Sequence, residues 1–147
     1  MTPRKTLASP PPATRSPTPV FTVARANRAL VLVRKIIADM QKQYTELAKR
    51  RRERDKLLQS AVEPERLQEL NIEIAAAATK LEHLSRELQA VGAVLKDLRT
   101  GLVDFPSVYR GRQVWLCWRA GEAEVTHWHE LDDGAAGRKP IGEEQFG

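Results

Sequence analysis

Residues 23–92 read VARANRALVLVRKIIADMQKQYTELAKRRRERDKLLQSAVEPERLQELNIEIAAAATKLEHLSRELQAVG, and this stretch decides the architecture. In its first half Leu30, Val33, Ile37, Met40, Tyr44 and Leu47 recur at alternating steps of three and four, a series continued by Arg51, Arg54 and Leu58. Such steps place successive side chains on one stripe of a helix with 3.6 residues per turn. No glycine or proline interrupts residues 23–62. The spacing therefore predicts one continuous helix over about 23–61, on the order of 55 Å long at about 1.5 Å per residue. Thr22 stands where an N-cap oxygen is needed.

Glu63-Pro64 is the break, since proline is accommodated in a first helical turn but not in a helix interior. A second series, Leu67, Leu70, Ile74, Ala77, Leu81, Leu84, Leu88 and Val91, predicts a helix over about 64–91. Gly92 is free to adopt the positive φ of a C-terminal cap. Leu95 and Leu98 hold the repeat, so a helix continuing to Leu98 is the alternative. Matching stripes joined by a short link imply an antiparallel, coiled-coil-like hairpin. A turn near Val62 pairs Val33 with Val91, Ile37 with Leu88, Met40 with Leu84, Tyr44 with Leu81 and Leu47 with Ala77. Nearer the tip it sets Arg51 against Ile74 and Arg54 against Leu70, with Glu73 and Glu69 available to neutralise them.

From Gly101 the period shortens to two. LVDFPSVY, QVWLCWR and EVTHWHE are short runs of β-branched and aromatic residues, separated by turns at Arg110-Gly111 and Gly121-Glu122. They predict a three-stranded antiparallel meander with the continuously apolar VWLCW strand in the centre. DDGAAGRKPIG then reads as a loop hinged at Gly134 and Gly137. The expected fold class is α+β: a hairpin over 21–100, a β platform with a glycine-rich loop over 101–147, and a basic tail over 1–20. That tail, MTPRKTLASPPPATRSPTPV, is too rich in proline, serine and threonine to bury a core and is expected to be disordered.

At 147 residues, 41% hydrophobic and 29% charged, with a mean hydropathy of −0.46, the chain suits long helices with wet outer faces. No apolar run is long enough to span a membrane, and none follows Arg4 and Lys5 as a secretory signal would require. Cys117 is the single cysteine, which excludes an intrachain disulfide and makes a reducing cytoplasm the expected compartment. Arg4, Lys5 and Arg15 contribute +3 of the net +5, leaving +2 for everything after Val20.

Two groups of side chains could carry chemistry. The run KRRRERDK offers Lys49, Arg50, Arg51, Arg52, Arg54 and Lys56 near the hairpin tip. Such a run is ordinarily a solvated face, and otherwise a nonspecific site for phosphates. No aromatic interleaves it, so base stacking is not implied. The second group is Cys117, His127, His129, Glu130, Asp132 and Asp133, all metal-ligand types. No CxxC or HExxH spacing accompanies them, so no cofactor or metal is expected, with His127 and His129 the nearest candidates. An even loop between the last two strands would set Trp115 opposite Trp128 and turn Cys117 away from both histidines. An odd loop would bring Cys117 to the histidine face. Trp115, Trp118 and Trp128 read as core rather than as a ligand cleft, and GAAGRK lacks the P-loop spacing.

Phe21-Thr22, GLVDFP at 101–106, LCW at 116–118, Gly121-Glu122, WHE at 128–130 and Gly137-Arg138 before Pro140 together resemble a family of uncharacterised bacterial proteins, domain of unknown function 2203. The resemblance covers Phe21 to about Ile141. The family pattern has an aromatic in GFAGR where Ala135 stands here. What the resemblance implies is a fold and a residue set rather than a reaction. It raises Asp104, Cys117, Trp118, Glu122, His129 and Arg138 as a candidate polar cluster. The expected role is a non-catalytic interaction or scaffold protein whose hairpin engages a protein partner or a second copy. RNA or ribosome binding through the basic tip is one alternative, and a small-ligand or metal site on the platform is the other.

Overall fold

The computed structural model describes residues 20–60 and 63–147, so the expectation of a disordered tail falls almost wholly outside the described residues. Helix α1 spans Val23–Gln59 and α2 spans Pro64–Val91. The Thr22 hydroxyl accepts from the Arg25 amide at 3.1 Å, satisfying one of the first-turn donors. Pro64 opens α2, and Gly92 closes it at φ 97, a left-handed conformation open to glycine. The helices lie against each other in opposite directions, bridged by Arg50 to Glu73 and Arg66 to Glu53.

The sheet has five strands rather than three. They are β1 (Val94–Asp97), β2 (Leu102–Tyr109), β3 (Arg112–Arg119), β4 (His127–Glu130) and β5 (Lys139–Pro140), in spatial order β1-β2-β3-β4-β5, with every pairing antiparallel. β1 was hidden because Leu95 and Leu98 continue the helical repeat, whereas Gly92 ends the helix and turns the chain into an edge strand. β5 is two residues long, too short for a period to register. The sheet thus begins at Val94, ahead of the first strand expected from Gly101 onward. β3 is central, as its unbroken apolar run requires. The β2–β3 hairpin turns on Arg110 and Gly111, both at positive φ, as a two-residue connection matched to strand twist demands.

One core joins the layers. From the sheet come Val103, Phe105, Val114, Leu116, Trp118 and Trp128, and from the helices Ala26, Leu30, Val33, Ile36, Ile37, Met40, Leu84 and Leu88. Phe21 packs edge-on to Phe105 with ring centroids 5.2 Å apart, and its amide donates to the Pro106 carbonyl at 2.8 Å. The hairpin seam departs from expectation toward the tip. Leu47 is the last buried residue of α1, Tyr44 is 56% exposed and Arg51 is exposed. A seven-residue stripe drifts about 20° per repeat on a straight helix, so a seam aligned near Val33 has swung outward by Arg51. From α2 Leu70 still fills the seam there, fully buried, and ion pairs flank it: Arg66 reaches Glu53, Glu69 and Glu73. Among the described residues no helix is long and apolar enough to cross a membrane.

Candidate functional site

Alternation along β2, β3 and β4 sends one set of side chains into the core and the other to the opposite face of the sheet. Register decides which residues share that opposite face. Asp104 sits across from Cys117, Cys117 from His127, Trp115 from His129 and Leu116 from Trp128. The pairing of Trp115 with Trp128 is therefore wrong by one residue, and Cys117 lies on the histidine face. The β3–β4 connection runs over residues 120–126, an odd length, and an odd connection inverts the parity. Burial explains why this register wins. It puts Leu116, Trp118 and Trp128 together in the core, whereas a one-residue slip of β4 would exchange Trp128 for a histidine.

On that face Asp104, Cys117 and His129 converge, each bringing one ligand-type atom to within 4.8 Å of the other two. They come from three different strands. All three are nearly closed to solvent, at 1%, 0% and 2% exposure. His129 Nε2 lies 2.9 Å from Asp104 Oδ2, while its Nδ1 lies 2.9 Å from the Glu130 carbonyl oxygen. A carbonyl only accepts, so Nδ1 carries a proton and Nε2 turns toward the carboxylate and the thiol. Asp104 Oδ1 is buried without a hydrogen-bond partner. Burial, reinforced by the Asp104 carboxylate and opposed by Arg138, pushes the Cys117 thiol up to about 12. A thiol so protonated is a poor nucleophile at neutral pH, which argues against Cys–His catalysis.

The other expected members form a separate knot at the sheet edge. Arg138 Nη2 donates to Glu122 Oε1 at 2.8 Å and to the Cys117 carbonyl at 3.3 Å. Glu122 Oε1 also accepts from the Arg119 amide at 2.7 Å, and the Glu122 carbonyl accepts from Trp118 Nε1 at 2.9 Å. Burial opposes ionisation of Glu122, but the Arg138 guanidinium and the Arg119 amide outweigh it and hold the carboxyl below its ordinary range. His127 belongs to this knot, with Nδ1 3.6 Å from Glu122 Oε2, and lies outside the buried trio. The six-residue cluster thus divides in two. Arg138 braces the strand that carries Cys117, and Trp118 is a core residue whose indole ties down the turn. The trio is legible as residue types but not as a group, because its members come from three strands and leave no local spacing.

The basic run of α1 also divides. Arg50 is held by Glu46 and by Glu73, the latter at 3.3 Å, and Arg54 lies 3.6 Å from Asp55. Lys49, Arg51, Arg52 and Lys56 are exposed and take part in no ion pair among the described residues. The chain belongs to the family described as an uncharacterized conserved protein (DUF2203), whose pattern matches residues 19–141. No curated protein and no solved structure matches it.

Proposed function

We propose that the platform is a metal-binding module in which Asp104, Cys117 and His129 hold one divalent transition ion, with the helical hairpin as an interaction arm carried on it. The carrying observation is the buried sulfur, nitrogen and oxygen trio with an unpartnered Asp104 Oδ1 in its midst. A hydrogen-bonded His–Asp pair accounts for Oδ2; the Cys117 thiol has only the Asp104 carboxylate to donate to, and Oδ1 has no partner of ordinary hydrogen-bond geometry. Burying an unpaired carboxylate oxygen costs on the order of 1–3 kcal/mol, which a bound cation would cancel. Thiolate, imidazole and carboxylate in one set favour Zn2+ among common ions. The Nδ1–H of His129 donating to a backbone carbonyl is the outer-sphere bond that fixes a ligating imidazole with its other nitrogen free.

Three donors leave a fourth position for a water or a backbone oxygen, but the burial of all three closes that position to substrate, which argues for a structural ion. Its role is then to lock β2, β3 and β4 together beneath the helices. α1 continues to Gln59 past its last buried residue, Leu47, and that polar end is the part available to a partner.

Because the site is closed, the ion is best introduced during folding. Protein refolded from urea with Co2+ should bind one equivalent and show the tetrahedral d–d bands and the thiolate charge-transfer band. Cys117→Ser should abolish the charge-transfer band. Refolded protein showing only the spectrum of aqueous Co2+, with no shift of its melting temperature on adding Zn2+, refutes the reading.

A further inference from the structure

α1 carries a second three-and-four series, on the side away from its buried seam. It runs Arg28, Val31, Lys35, Ala38, Lys42, Thr45, Lys49, Arg52 and Lys56, and every member is exposed. Six of the nine are cations and none is an acid. Arg28, Lys35, Lys42, Lys49 and Lys56 recur every seventh residue, about 10 Å apart along the axis and about 42 Å from first to last. None of the six cations makes an ion pair or a side-chain hydrogen bond among the described residues.

Of the four acids on α1, Asp39 stands exposed beside Lys35 and Lys42, while the other three are drawn to arginines outside the row, Asp55 to Arg54. Glu46 and Glu53, which flank the series, are engaged by Arg50 and Arg66 on the side facing α2. The asymmetry extends to whole helices. α1 holds eleven basic and four acidic side chains, a balance of +7, while α2 holds three and five, a balance of −2. Positive charge is thus concentrated along one edge of the hairpin.

We infer that this row of cations binds the phosphate backbone of a double-stranded nucleic acid without reading its sequence. Three features select that partner. A row of cations that winds only about 20° per repeat along α1 matches an anionic rod that is itself helical, and a duplex presents one charge per about 1.7 Å of axis. No aromatic side chain occurs in the row, so stacking on single-stranded bases has no platform. Val31 is the only large apolar residue in it, too little to bury in a lipid interface. Seen this way, the basic run at residues 49–56 is the distal end of a longer surface, of which Arg50 and Arg54 are not part. The inference is independent of the metal centre.

The full chain should be titrated with a mixed-sequence duplex of about 24 base pairs, twice the footprint of about 12 that the row spans. Parallel arms use RNA duplex, DNA duplex, the corresponding single strands, and phosphatidylserine vesicles. Binding to a duplex should weaken with salt at a log–log slope of about −5, as six phosphate contacts require. The triple variant Lys35→Gln, Lys42→Gln, Lys49→Gln should reduce the magnitude of that slope by about 3, whereas Arg119→Gln on the sheet leaves it unchanged. The corresponding Lys→Arg triple variant should retain it. A preference between the RNA and DNA arms identifies which duplex is bound, and either supports the inference. Absence of duplex binding at about 50 mM salt, an unchanged slope in the glutamine variant, or tighter binding to single strands or vesicles overturns it.

Discussion

Replacing Asp104 with asparagine separates a buried hydrogen-bonded pair from an ion site. In metal-free protein the Nδ1–H of His129 is committed to the Glu130 carbonyl, and Nε2 lies 2.9 Å from Asp104 Oδ2. A lone pair facing a carboxylate repels it, so the native pair must share an additional proton. An asparagine amide can donate to Nε2 without that proton and brings no charge into a position 1% exposed. Its metal-free stability should therefore stay within about 1 kcal/mol of the parent. Asp104→Ala strands Nε2 without a partner and should cost about 3 kcal/mol, near the lower end for breaking a buried pair. That is roughly 10 °C in melting temperature for a domain of this size. With metal the asparagine variant should fall behind. An ion at a thousandfold over its dissociation constant stabilises the parent by about 4 kcal/mol, and loss of the anionic ligand removes most of that gain. Urea unfolding followed by tryptophan fluorescence, with EDTA or with Zn2+ present during refolding, reads both conditions. An asparagine variant as unstable as alanine in EDTA refutes the tautomer assigned to His129. A variant with the full Zn2+ response removes Asp104 from the ligand set.

Leu70 is fully buried between the helices, so Leu70→Ala should cost about 2–5 kcal/mol, read by chemical denaturation. Gly101 has φ +71, and a Cβ there would lie 2.5 Å from the Ala120 Cβ; Gly101→Ala should cost about 2–5 kcal/mol from backbone strain and overpacking together, and a variant melting with the parent would show that the β1–β2 turn yields. Glu122 titrates below its ordinary value of 4.5 in the folded state, so it contributes stability that is present above that pH and is lost as pH falls through the folded value. Thermal melts over the acid range should show that limb flattened in Glu122→Gln, whereas an unchanged limb would place the acid sensitivity in other carboxyls.

The helical hairpin was readable in advance because helix formation is local. A three-and-four repeat, the absence of glycine or proline over 23–62, a capping threonine and Gly92 all act within a few residues of where they stand. The strong strands were readable for the same reason, and their apolar content put VWLCW at the centre. Edge strands were not. Val94–Asp97 and Lys139–Pro140 are strands only because β2 and β4 offer them free backbone donors and acceptors. The residue types of the candidate cluster were legible, and its division into two groups was not. Glu122 and Arg138 sit in one knot, and Asp104, Cys117 and His129 in another.

The sequence by itself determined the two helices, their break at Pro64, the α+β class, and a supply of thiol, imidazole and carboxylate within one short β segment. It also contained the exposed basic series of α1 in full, which becomes visible as a surface once the buried seam fixes how the helix faces its neighbours. Tertiary structure alone decided the register of β4 against β3, and with it whether Cys117 meets His129. Side chains in a sheet alternate with a period of two, so a single residue of slip moves every one of them to the other face. That choice was made by the need of Leu116, Trp118 and Trp128 to reach the same helices, a long-range packing condition that no local spacing encodes.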